Sequence, residues 1–142
     1  MPKAPQVNWQ PISQMSLIAG MIKGSLDDTR EHLGTLTKAR DRPHALDDAT
    51  IDRVEQVHSE QMEFVDIYTQ QISCWRTEKP SASQVRELDR LEKQNQQLRE
   101  ATANVLTLAG ELRKGTIERV LGMSDLELGI RALLGKGASG RR

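Results

Sequence analysis

Three stretches of the chain repeat an apolar position at alternating three- and four-residue steps, and the three have matching lengths. The first runs through Ile12, Met15, Ala19, Ile22, Leu26, Thr29, Leu33 and Leu36. The second runs through Ile51, Val54, His58, Gln61, Val65, Tyr68, Ile72 and Trp75, and the third through Leu88, Leu91, Asn95, Leu98, Thr102, Val105, Ala109 and Leu112. This spacing holds one stripe of a helix against its neighbours. A helix of about 30 residues extends roughly 45 Å. Equal lengths joined by short Pro-containing links predict an all-α fold, an antiparallel up-down-up bundle of three long helices.

Residues that start and stop helices mark the boundaries. Asp47 stands as N-cap of the second helix, with Leu46 and Ile51 as a hydrophobic staple and Asp48 at the positive end of the helix dipole. Pro43 disfavours helix at Arg42 in the link before it. Ser81 and Gln84 form a capping box for the third helix after Lys79-Pro80, and Gly115 is expected to end or kink that helix. Residues 116–121 read as a further helical turn or two. Ser124 with Glu127 opens a short last helix over residues 125–134. The C-terminal segment carries the apolar set Ile117, Val120, Leu121, Leu126, Ile130, Leu133 and Leu134, which is expected to pack back on the upper half of the bundle. Three regions follow: an N-terminal arm (1–10), a single helical-bundle domain (11–134) and a flexible basic tail (135–142).

The seams are interrupted by Thr29, His58, Gln61, Asn95 and Thr102. In an up-down-up arrangement these five fall within roughly 10 Å of one height at 1.5 Å per residue. Such a polar layer can satisfy itself and fix register, as a buried Asn does in a coiled coil. It can also hold a metal or a small polar ligand.

Composition narrows the functions. Of 142 residues, 20 are basic and 20 acidic, so no net field points to nucleic acid. The lone cysteine, Cys74, allows no intrachain disulfide and suits a reducing, cytoplasmic setting. The N-terminal residues lack the apolar core of a signal peptide, and no run is long enough to span a membrane. Aromatic rings are confined to Trp9, Phe64, Tyr68 and Trp75, too few for a typical ligand pocket. The chain therefore reads as non-catalytic, with no cofactor expected. The basic tail, with Arg113, Lys114 and Arg119 nearby, is read as solubilising.

Two local patterns carry possible chemistry. Glu55 and His58 stand in a Glu-x-x-His step, which places a carboxylate and an imidazole one turn apart, as in helical di-iron proteins. Those sites require a second such motif and carboxylates from two more helices, and this chain has one motif. His32 beside the first seam and His44 in a link read as surface residues. Glu60, Glu63 and Asp66 resemble in spacing the Mg²⁺-binding carboxylates of helical nucleotide pyrophosphatases. They fall opposite the seam, however, and the paired acidic motif of a neighbouring helix is missing. A solvated acidic face explains them.

Surplus apolar side chains point to association. The first helix carries Leu17, Ile18 and Met21 off its seam, with Gly20 and Gly24 between turns, and the second carries Phe64, Ile67 and Cys74. Glycines one turn apart cost helix propensity and suggest close approach by another backbone. The C-terminal segment can cover only the upper half, which leaves the lower half without a fourth helix. Leu17, Ile18, Met21, Phe64 and Ile67 are the expected contact surface of a homodimer through helices 1 and 2, or of another protein partner. The alternative is cover by the N-terminal arm with Val7 and Trp9. Self-association is the leading functional reading. The runner-up is a metal- or small-ligand-binding bundle, with an enzyme among its forms, that uses the mid-bundle polar layer around His58.

Overall fold

A computed structural model describes residues 9–42 and 46–121, with side chains described as far as Gly115. Every regular element among them is helical: a 3₁₀ turn, Ile12–Gln14, and three long helices, α1 (Met15–Arg40), α2 (Asp48–Arg76) and α3 (Ala82–Leu121). The three pack together along α3. Both α1 and α2 lie close to α3, backbone to backbone, whereas α1 and α2 approach each other at few points.

The seam positions are the ones that fold inward. None of the 24 is exposed, and Ile22, Val65, Trp75, Leu88, Leu98, Thr102, Val105 and Ala109 are fully buried. The large apolar cluster joins Met15, Ile18, Ile22 and Leu26 to Val65, Tyr68, Ile72 and Trp75, and to Leu88, Leu91, Leu98 and Ala101. A smaller cluster of Leu36, Val105 and Leu108, with Leu33, Leu46, Val54 and Leu112 against it, fills the other end.

The helix boundaries follow their local chemistry. The Asp47 carboxylate accepts from the Thr50 backbone N–H at 2.8 Å, and that bond holds its pKa below the ordinary carboxylate value. Ser81 and Gln84 close a reciprocal box: the Ser81 N–H donates to Gln84 Oε1 at 2.9 Å, and the Gln84 N–H donates to Ser81 Oγ at 3.2 Å. Lys79 takes φ 52° in the turn between, a left-handed conformation ahead of Pro80.

Gly115 does not end α3. The helix continues through it to Leu121, and none of the described glycines adopts positive φ. A glycine lowers helix propensity by about 1 kcal/mol relative to alanine. That is too little to stop a helix whose neighbours on both sides favour it. Gly20 and Gly24 also depart from expectation. Both are exposed, and a Cβ added at either would meet nothing within 4 Å. No backbone of the described chain approaches them.

Cross-links between helices run in inverse order of residue number. Arg76 reaches Asp89 at 2.9 Å and Glu92 at 3.0 Å, Arg99 reaches Asp66 at 2.7 Å, and Arg113 grips Asp52 and Glu55. Pairings between the first and second segments show the same inversion. Gln10 meets Gln71 and Trp75, whereas Thr29 meets Gln61.

Candidate functional site

The polar seam residues separate into three small arrangements. In the first, Gln61 on α2 donates both amide protons across the bundle, to Thr29 Oγ1 on α1 and Thr102 Oγ1 on α3, each at 2.8 Å. Each threonine hydroxyl gives its own proton to the carbonyl four residues back, Ser25 and Leu98, at 2.6 Å. Their lone pairs are thus left to receive Gln61, and the three-helix contact is self-consistent. It lies between the two apolar clusters.

Asn95 belongs to a second arrangement, a turn away. Its Nδ2 donates to the Val65 carbonyl at 3.2 Å and to Thr69 Oγ1 at 3.0 Å, while its buried Oδ1 has no partner among the described residues. Thr69, an exposed residue on α2, also receives Arg99. Sequence reasoning did not single it out, because it lies one position off the seam.

His58 forms the third. Its Nδ1 pairs with the Val54 carbonyl at 2.8 Å, and its ring meets His32 edge-on, with centroids 5.5 Å apart. Burial, partly opposed by the Val54 bond and reinforced by the neighbouring His32, lowers the His58 pKa from 6.5. His32 is exposed, as expected, but it shares this site rather than standing apart. Glu55 is half-buried, and its carboxylate accepts from Arg113 Nε at 2.9 Å. A cation bound at Glu55 and His58 would share that carboxylate with the guanidinium, whose contacts fall on Oε1. Among the described residues, no group of three or more His, Cys, Asp and Glu side chains is placed to hold a metal ion.

A groove lies between α1 and α2, which approach each other at few points. Its lower stretch is lined by Met21 and Ser25 from α1 and by Val57, Glu60, Gln61, Phe64 and Tyr68 from α2, with Leu98 of α3 at its floor. The upper stretch is lined by His32, Thr35 and Leu36 from α1 and by Leu46, Thr50, Arg53, Val54, Val57 and His58. Val57 belongs to both, so the two stretches make one groove. They enclose about 370 and 280 Å³. Large apolar side chains stand exposed along the lower part, Met21 at 48%, Val57 at 43% and Phe64 at 55%, and Leu17, one turn before Met21 on α1, is 56% exposed. The Phe64 and Tyr68 rings lie 6.5 Å apart.

The expected contact residues therefore divide. Leu17, Met21 and Phe64 are exposed, and Met21 and Phe64 face the same groove. Ile18 is buried in the chain's own core, because its side chain turns inward with Met15 and Ile22. Ile67 is half-buried. Val57 was missed as a surface residue, although its seven-residue step to Phe64 marks a second apolar stripe on α2. Gln10, the last residue of the N-terminal arm, is held at the far end of α2. The Gln10 N–H donates to Gln71 Oε1 at 2.7 Å, and Trp75 Nε1–H donates to the Gln10 carbonyl at 2.8 Å. Trp9 remains 43% exposed, and Val7 lies outside the described residues. The link around His44, the short last helix over 125–134 and the basic tail also lie outside them. No described helix is long and apolar enough to cross a membrane.

Comparison with known proteins adds no second line of inference: no protein-family model, curated protein or solved structure matches this chain.

Proposed function

We propose that the chain is an up-down-up bundle, completed by a C-terminal helical segment on its upper half, whose work is association rather than catalysis. The lower α1/α2 groove pairs with a second copy of the chain, and the same face suits a protein partner of similar apolar character. One observation carries this reading: Met21, Val57 and Phe64 stand exposed together along the side that the bundle leaves open, and Leu17 is exposed one turn before Met21 on α1. Exposed apolar side chains scattered singly need no explanation, whereas a contiguous set marks a contact surface. The inverse order of the interhelical pairs supports the up-down-up course. Gly20 and Gly24 add to the case for association. They weaken α1, and nothing within the described chain uses the space they leave. A two-fold pair is the commonest closed assembly, and it places the same groove on both sides of the contact. A reducing, cytoplasmic setting accords with the single cysteine.

The test is Met21→Glu. A carboxylate at this half-exposed site leaves the core residues untouched, so helical content by circular dichroism should stay unchanged. The mass by light scattering should fall towards that of one chain. A variant that keeps the wild-type oligomer mass would remove Met21 and its neighbours from the contact surface.

A further inference from the structure

The upper stretch of the groove differs from the lower in what lines it and in which part of the chain can reach it. Leu36, Leu46, Val54 and Val57 make it apolar, and His32 and His58 form part of its wall. We propose that residues 125–134 of the same chain seat here as a fourth helix, with Leu126, Ile130, Leu133 and Leu134 turned into the groove. The inference rests on reading that segment as a helix returning over the upper half.

Three observations select this occupant. The first is pattern and length. Leu126, Ile130, Leu133 and Leu134 fall at i, i+4, i+7 and i+8, a single stripe. Ten helical residues extend about 15 Å, the same rise as α2 makes from Asp48 to His58 along the groove. The second is where α3 ends. Arg113 grips Asp52 and Glu55 near the start of α2, and α3 continues for two more turns to Leu121. The chain therefore leaves α3 at the end where Leu46 forms the groove's mouth. Four residues from Leu121 to residue 125 span at most about 14 Å when extended, about the diagonal of a four-helix bundle whose neighbours stand roughly 8–10 Å apart. The third is charge. Arg53 lines the upper stretch, and the segment brings Asp125 and Glu127 in its first turn. A helix N-terminus also favours those acids.

The seat fills the upper groove only. Residues 135–142, rich in glycine and arginine, supply no apolar stripe to continue it downward. The lower stretch, with Met21 and Phe64, is left to the second copy, so the two occupants do not compete.

Imidazole resonances of His32 and His58, assigned through His32→Gln and His58→Gln, report directly on the upper stretch. Two variants of the full chain remove the occupant differently: deletion of residues 122–142, and Ile130→Glu. Both should shift the His32 and His58 resonances and speed backbone hydrogen exchange over residues 50–58. Wild-type resonances should not move on dilution. Unchanged resonances in both variants would overturn the proposal. So would wild-type resonances that move to the variant positions on dilution, because the occupant would then belong to a second copy. Met21→Glu should leave these signals in place. A wild-type chain that is monomeric at every concentration would sink the self-association reading and leave this seat standing.

Discussion

The two sides of α3 and the space between α1 and α2 are built from equally regular seams, yet only the first two close. Leu88, Leu98, Val105 and Ala109 on α3 are fully buried against their neighbours. Arg76, Arg99 and Arg113 fasten α2 to α3 at intervals along its length. Across the groove, Met21 and Phe64 face the same space while half of each side chain stays exposed. A triangular bundle closes every face. Here α1 and α2 each carry an additional stripe, Leu17 with Met21 and Val57 with Phe64, placed as if for a fourth position. The difference shows that a seam fixes which residues go inside but not how many neighbours a helix needs.

The sharpest way to break this comparison is to truncate one aromatic on each side. Trp75 is fully buried and anchors the Gln10 carbonyl through its indole N–H. Trp75→Ala should lower the unfolding free energy by about 3–5 kcal/mol, as large core truncations do. Phe64→Ala, in dilute solution, should cost under about 1 kcal/mol, since the ring is half-solvated before the change. Urea denaturation of the two variants checks both values. Equal losses would mean that the groove is as closed as the core.

The closed side was legible in the sequence because burial there follows a strict period. All 24 seam positions avoid exposure, and the Asp47 cap and the Ser81–Gln84 box form as their residue types require. The groove was legible only in part. Leu17 and Ile18 are adjacent apolar residues, and one seam cannot say which turns inward when a helix has two apolar stripes. Ile18 joined the core and Leu17 did not. The polar layer shows a similar limit. Thr29, Gln61 and Thr102, placed at one height along the helices, are joined by the Gln61 amide, but height says nothing about direction around the axis. Asn95 and His58 face other neighbours for that reason. The pairing of His32 with His58 depends on how closely α1 and α2 approach, which no local pattern encodes.

A smaller change should sharpen the picture from within the closed side. Asn95→Leu removes a buried amide whose Oδ1 has no partner among the described residues. The carbonyl it leaves, Val65, still receives the Thr69 hydroxyl at 2.9 Å. Relieving an unsatisfied buried acceptor and adding apolar area should raise stability by about 1–2 kcal/mol. A higher midpoint in thermal and urea unfolding is the expected reading. A loss of stability would show that the amide is better satisfied than its described contacts account for.

The smallest expected effect lies at the groove wall and depends on pH. Burial lowers the His58 pKa from 6.5, so the unfolded chain binds this proton more readily than the folded one. The stabilising contribution of the neutral ring is present in full above the unfolded value. It is lost as pH falls through 6.5 towards the lower folded value. The melting temperature should therefore decline across that window in the wild type and decline less in His58→Gln. Parallel profiles for the two proteins would remove His58 as the titrating group.

The central claim is that the lower groove joins two copies of this chain, and native mass spectrometry of the intact protein tests it most directly. It reads subunit number and any bound species in one spectrum. The account predicts a two-chain species for the wild type that carries no added mass. For Phe64→Glu, with unchanged helical content, it predicts a single chain at the same concentration. A wild-type spectrum of single chains, or a two-chain species that survives Phe64→Glu undiminished, would contradict it.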